Sequence, residues 1–319
     1  MQAKPITHTP LAVTILSRDA GRYAERLADN KLVDIIQYST RAEEIDCHRV
    51  VYLLADPNLA AEVIEQCVNV KWIQSTWAGN TPLLQAQKTN YVLTGVKSVF
   101  GQQMSEFVFA HILYFSRNIA GFIKQQAEPT QRWRPQPYTS LKGKTLGILG
   151  AGSIASALLP VAEQFGMQVI GLNRSGESKP GYRKMFAMHQ GNEFAKQVDY
   201  LVSLLPDTAQ TENFIDKSFL TGLSPDAVLI NAGRGSAIRD DDLIEAIKNG
   251  RLRAAVLDVF RHEPLPDDHA FWTTPGILVT QHTAAESFPD DIADIFERNI
   301  SKYVSGEALD YQFDFDKGY

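Results

Sequence analysis

The order of apolar segments predicts an α/β protein of two doubly wound domains, each a parallel sheet wrapped by helices. Three observations carry this. Short strand-like runs alternate with helix-spaced segments in two successive series. A glycine-rich turn, Gly150-Ala151-Gly152, stands between a strand-like run and a helix-like one. The chain, at 319 residues, is longer than one hydrophobic core ordinarily serves.

The first series places strands from Leu11 to Leu16, Val33 to Ile36, Val50 to Leu54, Val70 to Ile73 and Tyr91 to Val96. Helix spacing falls between them, from Tyr23 to Leu27, Leu59 to Cys67 and Leu83 to Gln87, with Asn58 as an expected N-cap. A long helical stretch from Gln102 to Gln126 and a proline-containing connection, Trp133 to Tyr138, lead into the second series. Its six expected strands run from Thr145 to Leu149, Gln168 to Leu172, Tyr200 to Leu205, Ala227 to Asn231, Ala254 to Val259 and Ile277 to Thr280. Six strands with interleaved helices suit a doubly wound nucleotide-binding sheet. A final helix, Asp290 to Ser305, would return to the first domain and make it discontinuous.

Composition narrows the function classes. Hydrophobic residues at 44% and charged residues at 21% are ordinary globular values. A net charge of -6 without a basic stripe argues against nucleic-acid or anionic-membrane partners. An anionic substrate would therefore be held by a few placed cations. Two isolated cysteines, Cys47 and Cys67, make neither a disulfide framework nor a metal cluster, so a cytoplasmic protein without a metal site is expected. The first ten residues carry no apolar run of signal-peptide length. No stretch reaches the roughly 18 apolar residues that span a bilayer.

The turn Gly150-Ala151-Gly152-Ser153-Ile154-Ala155 follows the run TLGIL and opens SIASALLPVAEQF. A pyrophosphate needs close backbone approach, which Gly150 and Gly152 permit, and free N–H groups at Ser153 and Ile154 would face its charge. Asp or Glu is common about 20 residues later, where it accepts the ribose hydroxyls of NAD. Here the segment reads Asn173-Arg174-Ser175. Without the carboxylate, a 2'-phosphate is not repelled, and Arg174 with Ser175 would bind it, so NADP is the preferred cofactor with NAD possible. Arg174 has a second reading, stacking on adenine without selecting for phosphate.

Three later segments set polar groups just past apolar strands: Asn231-Ala232-Gly233-Arg234-Gly235, Asp258 to Pro264, and Gln281-His282-Thr283-Ala284-Ala285. Reducing a 2-keto acid takes a cation for the carboxylate, a donor for the ketone and an acid for the forming alkoxide. Arg234 suits the first two tasks through its planar fork. His282 suits the last, and Glu263 would raise its pKa and orient its ring. His262, beside Glu263, is the rival acid. The remaining histidines, His111 in the helical run FVFAHIL included, read as structural.

With these segments in order, GAGSIA, LLPDTAQT, INAGRG, LDVFRHEPLP and QHTAA, the chain resembles the D-isomer-specific 2-hydroxyacid dehydrogenases over essentially its whole length. LNRS and the ending QFDFDKGY resemble the glyoxylate/hydroxypyruvate reductase branch. The resemblance implies a Rossmann cofactor domain, residues 99–286, inserted in a flavodoxin-like substrate domain, residues 1–98 and 287–319, with catalysis in the cleft. It implies Arg234, Glu263 and His282 as the catalytic set. Asp258 would meet the nicotinamide carboxamide, and Leu205, Pro206 and Thr211 would line the cofactor groove with Ala232 and Gly233.

Trp77, Ala78 and Gly79, in the run Ser75 to Asn80, match the family's substrate-carboxylate loop, and Trp77 either narrows the pocket or packs. Met104 is a cofactor contact or core filler. A homodimer through the cofactor domains is implied, with Trp133 either reaching the partner or lying in exposed linker.

The expected activity is reduction of small 2-keto acids, glyoxylate or hydroxypyruvate, to D-2-hydroxy acids. Phosphoglycerate and D-lactate-type dehydrogenases share the machinery, while Glu263 argues against formate dehydrogenase. A dinucleotide-sensing co-repressor or scaffold is the alternative of another class.

Overall fold

The computed structural model describes residues 9–130 and 133–315. The chain divides into two compact units, one formed by the residues up to Val99 together with those from Ser287 onward, the other by Phe100–Glu286.

The first unit is a five-stranded parallel sheet. Its elements are β1 (Leu11–Leu16), α1 (Ala20–Leu27), β2 (Val33–Ser39), β3 (Tyr52–Ala55), α2 (Pro57–Val63), β4 (Trp72–Ser75), α3 (Thr81–Leu84) and β5 (Val92–Thr94). The strand order β2-β1-β3-β4-β5 is the flavodoxin-like one. β1, β3 and β4 lie inside the sheet, and burial on both faces makes β1 and β3 nearly all apolar, while β4 buries Gln74 and Ser75 beside Trp72 and Ile73. Asn58 is not the N-cap of α2. Pro57 opens the helix, its fixed φ and missing N–H suiting the first position, so Asp56 is the cap residue and Asn58 lies inside the first turn.

The C-terminal helix Pro289–Ser305 belongs to this unit. It contributes Phe296 and Tyr303, whose rings pack on the fully buried Trp72 at centroid distances of 5.2 and 5.5 Å. Beyond it the chain runs beside β5, with an antiparallel bridge from Gln312 to Thr94.

The second unit begins with α4 (Gly101–Ser116) and α5 (Ile119–Gln126). The expected single helix is broken because Asn118 adopts a left-handed conformation, φ 53°, which asparagine tolerates better than most residues. A seven-stranded parallel sheet follows: β6 (Thr145–Leu149), α6 (Ser153–Gln164), β7 (Gln168–Asn173), β8 (Lys184–Ala187), α7 (Gly191–Ala195), β9 (Tyr200–Ser203), α8 (Lys217–Gly222), β10 (Val228–Asn231), α9 (Asp240–Lys248), β11 (Ala254–Leu257) and β12 (Ile277–Val279). Six strands were expected and the seventh is β8. It is four residues long, lies at the sheet edge and buries only Phe186 and Ala187.

The strand order β8-β7-β6-β9-β10-β11-β12 is the Rossmann order extended by one strand. Order reverses between β6 and β9, and every pairing is parallel. The turns after all these strands therefore emerge on one edge of the sheet. That edge gathers residues separated by more than a hundred positions in sequence.

Candidate active site

Gly150, in the turn after β6, has φ 89°, and a Cβ there would come within 2.7 Å of the Leu204 carbonyl oxygen. Both conformation and packing require glycine. Gly152 differs: a Cβ there would meet no protein atom within 4 Å, so the protein itself does not require its absence. An approaching anion would. Gly152 is also the N-cap of α6 and supplies no side-chain cap, leaving the first-turn amides of Ser153 and Ile154 to an external acceptor. The turn thus fits the pyrophosphate of a dinucleotide.

After β7, the Asn173 side chain accepts the backbone N–H groups of Ser175 at 3.1 Å and Gly176 at 2.6 Å, folding the turn on itself. Arg174 is exposed and makes no ion pair among the described residues. Lys179, which sequence reasoning passed over, donates its ammonium to the Ala151 carbonyl beside the glycine turn. Nothing in the pattern around Lys179 signals this contact, because the intervening loop alone brings it there. After β9, Leu205 is buried and Pro206 exposed. The Thr211 hydroxyl accepts from Thr208 N–H and donates to Pro206 O at 2.6 Å, bracing that loop.

Arg234, half-buried, extends from the turn after β10 with its Nη1 donating to Gly233 O at 2.7 Å. Asn231 holds the turn through Nδ2–H to Arg234 O at 3.1 Å. Gly233 is buried and Ala232 partly so, and a Cβ on Gly233 would strike the Leu205 backbone at 2.7 Å.

The Glu263 carboxylate accepts Phe260 N–H at 2.8 Å and pairs with Nδ1 of His282 at 2.7 Å. His282 stands in the left-handed region, φ 56°, an uncommon conformation held by its neighbours. Its N–H donates to Asp258 O at 2.7 Å. The Asp258 carboxylate, 1% exposed, accepts Thr280 Oγ1–H at 2.5 Å, Thr283 N–H at 2.9 Å and Ala284 N–H at 3.0 Å. Its donors in the structure thus come from the His282 loop.

The hydrogen bond that Nδ1–H of His282 donates to Glu263 raises the His282 pKa against the opposing effect of burial, and the Glu263 and Asp258 charges add to the rise while Arg234 opposes it. Burial pushes the Glu263 carboxyl upward, but the bonds from His282 and Phe260 N–H and the charges of His282 and Arg234 outweigh it and hold it below its ordinary value. The dyad is therefore an imidazolium facing a carboxylate over a wider pH range than either group alone would give. His262, the rival acid, makes no ion pair among the described residues, and no group of His, Cys, Asp and Glu among them could hold a metal.

In the first unit, Ser75 to Asn80 follows β4. Ser75 Oγ accepts Trp77 N–H at 3.1 Å, and Thr76 Oγ1 donates to the buried Asp56. Trp77 and Gly79 are half-buried and Ala78 is exposed. Asn80 is buried with both amide atoms lacking a hydrogen-bond partner. Met104 is buried in the core of the second unit.

The strand order and the glycine turn are those of a dinucleotide-binding domain, and an arginine with a histidine–carboxylate pair on the same sheet edge suits the chemistry of a dehydrogenase. The chain belongs to the D-isomer-specific 2-hydroxyacid dehydrogenase family, whose NAD-binding domain matches residues 109–284. It is 32% identical over 73% of its length to glyoxylate/hydroxypyruvate reductase A of Serratia proteamaculans, of which 71% is covered. A solved D-isomer-specific 2-hydroxyacid dehydrogenase family protein from Aeromonas salmonicida superposes with a TM-score of 0.91 at 37% identity, over 97% of this chain and 100% of that one. An NADPH-dependent glyoxylate/hydroxypyruvate reductase of Sinorhizobium meliloti, solved with NADP and sulfate, gives a TM-score of 0.82 at 25% identity, covering 97% of this chain and 100% of the other.

Proposed function

We propose that this protein reduces small 2-keto acids, glyoxylate or hydroxypyruvate, to D-2-hydroxy acids with NADPH preferred over NADH. The observation that carries the chemistry is the 2.7 Å pairing of His282 with Glu263 on the sheet edge that also presents Arg234. In this reading Arg234 holds the substrate carboxylate and polarises the ketone, and Nε2–H of His282 protonates the alkoxide. The dinucleotide supplies the hydride. Gly150, Gly152, Ser153 and Ile154 hold its pyrophosphate, Asn173, Arg174 and Ser175 its 2'-phosphate, and Leu205, Pro206, Thr211, Ala232, Gly233 and Asp258 the rest of the groove.

The residues up to Val99 and from Ser287 act as the substrate domain, where the amides of Ala78 and Gly79 beside Trp77 take the carboxylate. A cytoplasmic homodimer completes the proposal. Ile119, Phe122 and Ile123 on α5, with Trp133 and Tyr138 after it, are exposed large apolar side chains of the kind a second copy would cover. No helix among the described residues is long and apolar enough to cross a membrane. A monomeric mass in sedimentation would remove the dimer.

The test is turnover of purified protein with NADPH or NADH against glyoxylate, hydroxypyruvate, pyruvate, phenylpyruvate and phosphohydroxypyruvate. Glyoxylate and hydroxypyruvate should lead, and Arg174→Ala should raise the KM for NADPH about tenfold while leaving that for NADH unchanged. A more than tenfold NADH preference in the wild type overturns the cofactor assignment. Cofactor binding without turnover of any keto acid overturns the enzyme.

The pH profile follows from the dyad. Reduction needs the imidazolium, whose pKa lies above the ordinary value of about 6.5. The reductive rate should therefore be flat at low pH and fall as pH rises through that raised value. Glu263→Gln should start the fall at lower pH, and an unchanged profile would remove Glu263 from the mechanism.

A further inference from the structure

Arg234 and Glu263 sit on turns after different strands, β10 and β11. A misplacement of about 1 Å between such groups can cost on the order of a hundredfold in rate. The His282 loop is fastened to β11 by Asp258, but that says nothing of how the Arg234 turn is registered against Glu263.

Two features join the turns. Gly235 packs so closely on Phe260 that a Cβ would lie 2.0 Å from the Phe260 carbonyl carbon. Beside it, the Arg261 guanidinium reaches back across the gap. Its Nη2 donates to Ser236 O at 3.0 Å, to Ile238 O and to the Asn213 side-chain oxygen. Ser236 O also accepts Asn213 N–H at 2.8 Å, and Ile215 N–H bonds to Ala237 O at 2.8 Å, so backbone hydrogen bonds tie the Asn213 and Ser236 segments together.

Charges around Arg261 are farther away. Asp240 lies 3.7 Å from Nε and Glu212 3.9 Å from Nη1, both beyond hydrogen-bond reach, with His269 3.5 Å behind Asp240. Arg261 is thus not a surface ion pair with incidental contacts. Its shortest contacts are to uncharged oxygens, those of the Asn213 side chain and of the Ile238 and Ser236 backbone, and its side chain is only 27% exposed.

We propose that Arg261 is a positioning residue, its guanidinium clamping the Glu263 loop to the Arg234 turn so that the carboxylate-binding arginine and the His282–Glu263 pair address one substrate. This rests on the keto-acid reductase reading of the site. One end of the guanidinium, Nη2, meets acceptors from two chain segments at once, the Asn213 side chain and the backbone of Ser236 and Ile238, while its permanent charge strengthens each contact.

The experiment compares wild type with Arg261→Met, Arg261→Lys and Asn213→Gly, the last keeping the left-handed φ while removing one acceptor. In Arg261→Met, the KM for the keto acid should rise and kcat fall by about tenfold each, while the KM for NADPH stays within about twofold. Arg261→Lys should recover part of the loss. The His282 ring resonance, titrated by NMR without substrate in the presence of its neighbours Glu263, Arg234 and Asp258, should show its midpoint falling toward the ordinary imidazole value.

Loss of a cation alone moves that midpoint up. A folded Arg261→Met protein whose keto-acid KM and His282 midpoint are unchanged, or whose midpoint rises, overturns the proposal. If Arg261→Met does not fold, Asn213→Gly decides, a smaller change of the same sign supporting the clamp and no change refuting it. If the wild type reduces no keto acid, the activity reading fails separately and the NMR midpoint still decides the clamp.

Discussion

Asp56 and Asp258 each stand just past the end of a parallel strand, one after β3 and the other after β11, and each is almost fully buried. Asp56 accepts Ser17 Oγ–H and Arg18 N–H, both at 2.9 Å, together with the Thr76 hydroxyl. Asp258 also takes three donors, one hydroxyl and two backbone N–H groups where Asp56 takes two hydroxyls and one N–H. A buried carboxylate is tolerable only when so satisfied, and in exchange it fastens one strand end to the next. The loops they fasten differ in kind. Asp258 fixes a loop that presents a protonatable imidazole to a carboxylate. Asp56 fixes Ser75 to Asn80, a run without a titratable side chain, whose polar offering is backbone N–H and the unpartnered amide of Asn80. One device thus fastens a loop that carries a protonatable imidazole in one sheet and a loop without a titratable side chain in the other.

The strongest way to break that contrast is to remove the imidazole. His282→Ala should lower kcat by about 10²- to 10⁴-fold in stopped-flow or steady-state NADPH oxidation, with cofactor affinity by fluorescence unchanged. A loss below about threefold would mean that the acid lies elsewhere, His262 being the nearest alternative in sequence.

A smaller effect separates the two aspartates. An amide cannot accept at both of its heavy atoms, so Asp258→Asn and Asp56→Asn should each cost about 1 to 3 kcal/mol in denaturant unfolding. Only Asp258→Asn should also displace the falling limb of the pH–rate profile, because only Asp258 braces His282. Equal displacement by both variants would dissolve the distinction.

The smallest change is expected at Asn80. Replacing its unpaired amide by an apolar group of similar volume, Asn80→Leu, should leave stability within about 1 kcal/mol or raise it. A loss of more than about 2 kcal/mol would show that the amide is satisfied in solution, and would point to a polar partner for that loop.

The dyad also sets a stability window, worked from both signs. His282, with its pKa raised, contributes stability below its ordinary pKa and loses it as pH rises through the folded value. Glu263, with its pKa lowered, contributes above its ordinary pKa and loses it as pH falls through the folded value. The pairing is therefore complete only between the two, in the mildly acidic to neutral range. Both side chains are more than a third exposed, so solvent screens the contribution.

Much of the fold was legible because the strands of a parallel sheet are written as short apolar runs, and eleven of the twelve strands, all but β8, were expected from such runs. β8 escaped because an edge strand of four residues is selected by its pairing with β7 rather than by its own pattern. The break at Asn118 and the start of α2 escaped for related reasons. A helical period continues on paper through a residue that turns left-handed, and Asn58 looks like a cap until Pro57 claims the first turn.

In the candidate site, Arg234, Glu263 and His282 were visible as polar residues just beyond apolar strands. Asp258 was visible too, but its donors were not, since Thr280, Thr283 and Ala284 meet it only when the chain returns beside β11. Arg261 and Lys179 carried no signal at all. Their partners lie in other turns, and a lone basic residue in a loop is ordinarily solvated.

By itself, then, the amino-acid order determined which segments other than β8 are strands, where glycine must open a turn, and which side chains stand at strand ends, because these depend on local periodicity and on the conformations each residue permits. Only the tertiary structure decided that Glu263 meets His282, that Asp258 faces the His282 loop and that Arg261 bridges to the Arg234 turn. Those contacts depend on strand order in the sheet, and strand order comes from packing among segments far apart along the chain.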